Sequence, residues 1–528
     1  MTNLEIPLKE EKTLHYRLFE ILPGALSWSI LIAPFALSLI SPSITALLVI
    51  VFFLIWFVRA IGLNIRVLQG WRTTSQQQKY SWDKMLDDLD KLQVNHKGKN
   101  VPKWHAETVN RLIKTPTPIR PSEIVHAIFV FAYNEGIEVL EPTVQSVLDS
   151  TYDMKKAILV LAYEERDGAQ AEPAMLTIAK KYGNRFLHTL TTKHPLTPGE
   201  VRGKGGNFNY AARKLQKYLE ENKIDPSKVM VTMLDSDNRP HKMYFAALSY
   251  VYAATPDPKH SSYQPIPMYT NNIWDAPAPM RVIATGNSFW NMVLSMRPHM
   301  LRNFSSHSQP MDALIDTDFL STRTIVEDGH QFWRTYFRYD GNHIVYPIYV
   351  PIYQDAVLSS TYRKTIKAQF AQIRRWAYGA SDIAYVADKA FFTKNKISKT
   401  DRLFKFLRLL EGHVSWATAP LILAFAAFVP LLFNSESYTA IQLPIIASRI
   451  QTVALAGIFI TFFLSFKALP PKPARYKRSR SVFMILQWVL LPVTTILFNA
   501  MAALNSQTRL MFGRYLDKFD VTDKSVKR

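Results

Sequence analysis

Long apolar segments gather near both ends of this chain, which leaves its middle as the stretch able to build a water-exposed domain. "ILPGALSWSILIAPFALSLI" (21–40) and "ITALLVIVFFLIWFV" (44–58) are separated by Ser-Pro-Ser, so they read as a hairpin of two membrane spans turning at Pro42. A cleaved leader fits poorly, because a second span follows at once and Arg59 closes it. Three further stretches are long enough to span or nearly so: "VSWATAPLILAFAAFVPLLF" (414–433), "IQTVALAGIFITFFLSF" (450–466) and "VFMILQWVLLPVTTILFNAMAAL" (482–504). Any one alone would suit a buried core helix, but five in two clusters read as an integral membrane protein. The short basic loop "KALPPKPARYKRSR" (467–480) belongs on the cytoplasmic side, together with the segment from about 63 to 405. Five single crossings would then put the basic tail "RLMFGRYLDKFDVTDKSVKR" (509–528) on the opposite face, against the same tendency. Either Pro492 turns the last segment back, or the number of crossings differs by one.

Between the clusters, strands alternate with helices. "AIFVFAYNEG" (127–136) reads as a buried strand ending in Tyr133, Asn134 and Glu135. A helix over "EPTVQSVLDSTY" (141–152), a strand over "KAILVLAYEERDG" (156–168), a helix over "AEPAMLTIAKKYG" (171–183) and a strand over "VMVTMLDSD" (229–237) follow. "VIATGNSFW" (282–290) reads as a further strand. This alternation implies an α/β domain with a largely parallel sheet and helices on both faces. Ligands of such sheets gather outside the carboxyl ends of the strands, so the polar clusters there should share one crevice.

Which ligand they hold is narrowed by what the chain lacks. Without cysteine there is no thiol nucleophile, disulfide or thiolate metal site. A formal charge of +21 points to anionic partners. A Gly-x-Gly-x-x-Gly opening a helix and a Walker lysine loop are both missing. Asp235 and Asp237, one residue apart at a strand end, suit a hard divalent cation, although an isolated pair also suits an Asx-type turn. In "RGKGGNFNYAARK" (202–214), Gly203, Gly205 and Gly206 permit close backbone approach and Lys204 can meet a phosphate; a flexible basic loop is the alternative. "TIVEDGHQFWR" (324–334) offers Glu327 and Asp328 as a general base, or simply as a charged helix start. In "QFAQIRRWAYG" (369–379), Gln372, Arg375 and Trp376 share one helical face, which suits a diphosphate and a sugar ring. The same helix could also lie in a membrane interface, anchored by its tryptophan.

In the order Y-N-E, D-x-D, E-D and Q-x-x-R-W, with apolar flanks, the chain resembles membrane-integrated family 2 glycosyltransferases such as the cellulose, hyaluronan and chitin synthases. The likeness runs from about 125 to 400. It implies a cytoplasmic GT-A domain inserted between N-terminal and C-terminal transmembrane helices, with Mg²⁺ or Mn²⁺ and an inverting transfer. It also implies roles: Tyr133 and Glu135 at the nucleoside, Lys204 near the nucleotide, and Asp235 and Asp237 at the metal-bound diphosphate. Asp328 would be the base, Arg375 would hold the leaving diphosphate, and Trp376 would pack under the acceptor sugar. Where the family shows paired aspartates after the second strand this chain has "AYEERDG", so Glu164 or Glu165 would take that role.

On this basis residues 1–62 form a tail and transmembrane hairpin, 63–120 a connector, and 121–362 the GT-A domain. Residues 363–410 carry interface helices and 411–528 the remaining membrane helices, basic loop and tail. The expected activity is a hexosyltransferase in a plasma or bacterial inner membrane. It would polymerise sugar from a UDP- or GDP-sugar and export the glycan through its own helices. A single-transfer enzyme acting on a lipid-linked acceptor is the alternative, and a silent membrane scaffold a third. The basic residues cluster at the membrane boundaries, as expected for lipid headgroups, and no nucleic-acid motif accompanies them.

Overall fold

The computed structural model describes residues 4–166, 170–477 and 479–517. Asp167 and Gly168 of the second strand's acidic end, Arg478 of the basic loop and the tail from Lys518 lie outside the described residues. Among the described residues, five helical segments are long and apolar enough to cross a membrane: Leu14–Ile40 (α1), Pro42–Gln77 (α2), Lys399–Phe433, Tyr438–Ala468 and Ser479–Met511. The turn between the first two is built as its sequence demands. Ser41 accepts from the Ile44 N–H, and Pro42 fills the first helical position, where no N–H is needed.

The last apolar segment departs from a regular helix, with a 3₁₀ turn at Gln487–Leu490 and a π turn at Thr495–Ala500. Both of its ends meet the sheet-bearing half. Arg480 donates to the Trp274 carbonyl at 2.8 Å. At the other end, Arg17 donates to the Leu510 and Met511 carbonyls, and Leu510 packs in the cluster around Phe332 and Tyr385. Pro492 lies in this irregular stretch, between the two turns.

One eight-stranded sheet carries the middle of the chain: β1 (Val125–Ala132), β2 (Ala157–Glu164), β3 (His188–His194), β4 (Val229–Leu234), β5 (Arg239–Pro240), β6 (Ser261–Met268), β7 (Ser308–Pro310) and β8 (Ile344–Tyr353). Its order is β3-β2-β1-β4-β7-β6-β8-β5. Only the short β5 and β7 run against the others. β2 and β4 are buried along their whole length, because helices cover both faces.

Five helices position the site: α3 (Lys204–Glu221), α4 (Ala278–Ser295), α5 (Glu327–Arg338), α6 (Tyr362–Ala377) and α7 (Lys399–Phe425). The strand expected over 282–290 is wrong, since those residues lie inside α4. Val282, Ile283 and Thr285 favour a strand locally, but helix α4 is covered on several sides, so tertiary packing overrides propensity. Its approach to α2 is close enough that a Cβ on Gly70 would meet the Met292 Cβ at 2.8 Å. The helix expected over 141–152 instead runs Ile137–Leu148 and accommodates Pro142 within it.

Candidate active site

Five strands deliver polar residues to one place. Tyr133 and Glu135 follow β1, Glu164 ends β2, Asp235 and Asp237 follow β4, Tyr269 follows β6, and Gln354 and Asp355 follow β8. All of them line a single cavity of about 980 Å³, which Lys204, Glu327, Asp328, Gln372, Arg375 and Trp376 also line. Residues from four separated motifs thus face a common space at the carboxyl ends of the sheet.

Two turns at the strand ends lock together. Glu135 accepts from the Tyr133 N–H at 2.8 Å and the Asn134 N–H at 3.2 Å, and from Ser236 Oγ at 2.9 Å. Its carboxylate therefore ties the end of β1 to the residue between the two aspartates. Asn238 Oδ1 accepts from the Asp235 N–H at 2.8 Å, so the Asx-type turn is present as well. Asp237 Oδ2 accepts from the Asp355 N–H at 3.0 Å, which sets its orientation.

At the centre sits Lys204, whose side chain is 10% exposed. Its Nζ lies 2.9 Å from Asp328, 3.4 Å from Asp235 Oδ1 and 4.0 Å from Glu327 Oε1. Burial opposes the ammonium charge, yet Asp235, Asp328 and Glu327 together hold its pKa above the ordinary lysine value. Glu327 is buried, and its Oε2 has no hydrogen-bond partner. Burial first, then the charge of Asp328, raise its carboxyl well above the ordinary glutamate value, against the pull of Lys204. His307 Nδ1 is 3.9 Å from Asp328, and burial keeps this imidazole's pKa low.

The sequence 202–214 is not a loop beyond its first residues. Gly203 precedes α3, and Lys204 opens it. The close approach that Gly205 permits is to the chain itself, because a Cβ there would collide with the Ser321 carbonyl. That contact packs the start of α3 against the loop leading to Glu327 and Asp328.

On α6, Gln372, Arg375 and Trp376 face the cavity together. Trp376 lies 6.2 Å from the Tyr269 ring, at 44°. Burial, then Asp237 and Asp235, raise the pKa of Tyr269, and Arg375 opposes them. Beyond Trp376 the cavity continues among the apolar helices, lined by Trp416, Ala419, Thr494, Thr495 and Asn499.

Of the two glutamates after β2, Glu164 is buried and lines the cavity, whereas Glu165 is exposed and does not. Glu164 accepts from Arg166 Nε and pairs with His194 Nδ1, both at 3.3 Å. The His194 Nε2 reaches Glu200 at 3.1 Å. Despite burial, these two carboxylates raise the imidazole's pKa. Arg166, His194, Tyr269 and Asp355 escaped the sequence reading. Tyr269 and Asp355 sit just past β6 and β8, whose prolines hide the strand pattern that would have marked them.

Asp235 and Asp237 fit a divalent ion by donor chemistry: two carboxylates at one strand end, one of them oriented by a backbone N–H. Among the described residues, the group of three ligand-type side chains that could converge on one ion is elsewhere, Asp87, Asp88 and His96. There Asp88 already accepts from the Asn95 and His96 N–H groups and meets both His96 and His105 rings, so its oxygens are occupied by the loop it holds.

No family model matches the chain, and no curated protein matches it. Solved structures similar to it include the mannosyltransferase PcManGT from Pyrobaculum calidifontis in complex with GDP-Man and Mn2+. That alignment has 13% identity and a TM-score of 0.44, and covers 94% of this chain and 100% of the other. S. aureus TarS 1-349 aligns at 10% identity and a TM-score of 0.35, over 74% of this chain and 93% of the other. The TarS 1-349 complex with UDP-GlcNAc aligns at 12% identity and the same TM-score of 0.35, over 74% and 93%.

Proposed function

We propose that this chain is a membrane-bound glycosyltransferase that takes a sugar from a UDP- or GDP-sugar and adds it, with inversion, to a growing glycan. The observation that carries the reading is convergence. Tyr133, Asp235, Asp237, Asp328, Arg375 and Trp376 come from four segments and line one cavity that opens from the strand ends into the helices. Such a site needs a cationic grip on a diphosphate, a base for an incoming hydroxyl and a platform for a sugar ring.

The donor diphosphate belongs at the Asp235–Asp237 turn, with Arg375 offering a planar fork to its oxygens. Asp235 and Asp237 would hold Mg²⁺ or Mn²⁺, which when bound neutralises charge on the departing diphosphate. Asp328 accepts the proton from the acceptor hydroxyl as that oxygen attacks the anomeric carbon and the bond to the diphosphate breaks. Lys204 keeps Asp328 and Asp235 in place against their mutual repulsion. Trp376 supports the acceptor ring, and the product leaves past Trp416, Thr495 and Asn499. In this reading the sheet faces the cytoplasm and the transferase is processive. A single transfer to a lipid-linked acceptor is the second reading, favoured by the cavity's reach to Trp56 and Arg59 on α2.

Inverted vesicles containing the protein, offered a panel of UDP- and GDP-sugars, test both readings. One donor should release nucleotide in a chelator-sensitive way. A ladder of long products marks the processive enzyme, and one lipid-extractable sugar unit marks the alternative. No nucleotide release from any donor would overturn the transferase reading.

A further inference from the structure

α2 and α7 pack together only over part of their length. Phe53 and Ile422 share one apolar cluster, whereas nearer the sheet Trp56 and Arg59 of α2 face Glu411, Ser415 and Ala419 of α7 across the cavity. One ion-pair chain bridges the gap. Glu411 accepts from Arg59 at 2.7 Å and from Arg408 at 2.6 Å. Two more guanidinium groups, those of Arg66 and Arg297, crowd the same place, and Arg297 lines the same cavity as Arg59 and Arg408. Arg297 is close enough to Arg66, Arg408 and Arg59 that burial and these cations together lower its pKa. Arg302 lies apart from this group: after burial the larger charge acting on it is the carboxylate of Asp382, then Arg408, and it sits 5.5 Å over the Trp333 ring.

Among the described residues, Glu411 is the carboxylate bonded within the group of Arg59, Arg66, Arg297 and Arg408, which leaves these four arginines with an excess of positive charge. Uncompensated guanidinium groups repel, so a fold that gathers them is completed by an anion with several oxygens. The surroundings indicate which anion. Val58, Trp290, Phe404 and Leu407 beside the gap are exposed, and the apolar run of α2 ends at Arg59. The arginines therefore sit where the apolar parts of two helices begin, at the depth of a lipid headgroup.

We propose that Arg59, Arg297 and Arg408 form a phosphate site for an anionic membrane lipid that enters sideways between α2 and α7. The phosphate completes the arginine cluster, and the acyl or prenyl chains lie against Trp290, Phe404 and the outer face of α2. This site concerns the membrane end of the cavity, and lipid binding there is independent of the donor chemistry proposed above.

The test uses the full chain in phosphatidylcholine nanodiscs carrying a trace of photoactivatable phosphatidic acid, without nucleotide-sugar. Labelling should map to residues near 56–59 and 404–411 and be displaced by unlabelled phosphatidic acid, not by added phosphatidylcholine. Arg297 makes no ion pair that folding would miss, so Arg297→Glu should insert normally and lower this labelling at least about ten-fold together with Arg408→Glu. Arg297→Lys should retain most of it, and Lys217→Glu, on the exposed face of α3, should change nothing. Equal labelling by a diacylglycerol probe lacking phosphate would overturn the proposal. So would indifference to Arg297→Glu, or charge-dependent binding of inorganic phosphate that blocks the lipid probe, which would make the ligand a free anion. Failure of the vesicle assay with every donor, alongside successful labelling, would discard the transferase and leave the lipid site standing.

Discussion

The two ends of the cavity are built on opposite electrostatic plans. At the strand ends, the carboxylates of Asp235, Glu327 and Asp328 surround the buried Lys204 ammonium, with Asp235 in the turn after β4 and Glu327 and Asp328 at the start of α5. Near the membrane helices, several arginines share one carboxylate beside exposed aromatic and aliphatic side chains. The first end gathers its carboxylates around a cation of its own chain; the second gathers its cations around a single bonded carboxylate. A donor site must hold its charges still before substrate arrives, whereas a lipid-facing mouth can leave part of its charge to the bilayer.

The sharpest break in that comparison comes from removing the central cation of each end. Lys204→Met leaves Asp235, Glu327 and Asp328 without their shared counterion. Loss of one partner from a buried charge group costs about 3–5 kcal/mol, so the melting temperature should fall markedly and turnover should vanish. Arg297→Met at the other end should leave melting in detergent almost unchanged. Similar losses for both, read by thermal unfolding, would show that the two ends are not organised differently.

Next in size is Asp328→Asn. If this carboxylate takes the acceptor proton, turnover should fall by about 10²–10⁴-fold while a donor analogue still binds. Equal losses in binding and turnover would make Asp328 part of the donor cage alone. Asp237→Asn should instead weaken donor binding and the chelator-sensitive part of the activity together, with little effect on unfolding.

A smaller effect follows from Glu327. Its folded-state pKa is raised, so in the window above the ordinary glutamate value the folded protein holds a proton that the unfolded chain has lost. Stability should therefore fall as pH rises from that ordinary value toward the raised one. Glu327→Gln should flatten this part of the stability–pH curve, and below the window wild type and variant should behave alike. An unchanged slope would place the titrating group elsewhere.

Legibility in the sequence followed the same division. Strands β1, β2 and β4 are largely apolar runs with acids at or just past their ends, so the sequence alone implies that their polar ends meet. β6 and β8 carry Pro265, Pro267, Pro347 and Pro351, and β6 and β8 pair through a register shift between Pro265 and Pro267. Their strand signal is lost, and with it Tyr269 and Asp355. α4 reads locally as a strand because its helical character depends on what covers it. The arginine cluster is invisible for another reason: Arg59, Arg297 and Arg408 stand on three segments far apart in sequence, and each alone looks like an ordinary basic residue at a membrane boundary.

Trp376 stands where the two plans meet, and its replacement should be the mildest and most discriminating change. The ring lies beside Tyr269, on the same helical face as Arg375, between the carboxylate end and the part of the cavity lined by Trp416 and Asn499. A ring platform acts on the acceptor through stacking and has no grip on the donor diphosphate. Losing it should cost about 1–2 kcal/mol of acceptor binding, the scale of one aromatic contact. Trp376→Ala should therefore shorten the product while nucleotide release by water persists, and Trp376→Phe should recover part of the length. Arg375→Ala should depress transfer and hydrolysis alike, because both need the leaving group held; Lys at this position restores only part, lacking the planar fork. If α6 is instead an interfacial helix anchored by its tryptophan, both Trp376 variants would insert less well yet show wild-type product length per inserted molecule. Product length normalised to inserted protein separates these outcomes, and the second would move the acceptor platform to Trp416 or away from this cavity altogether.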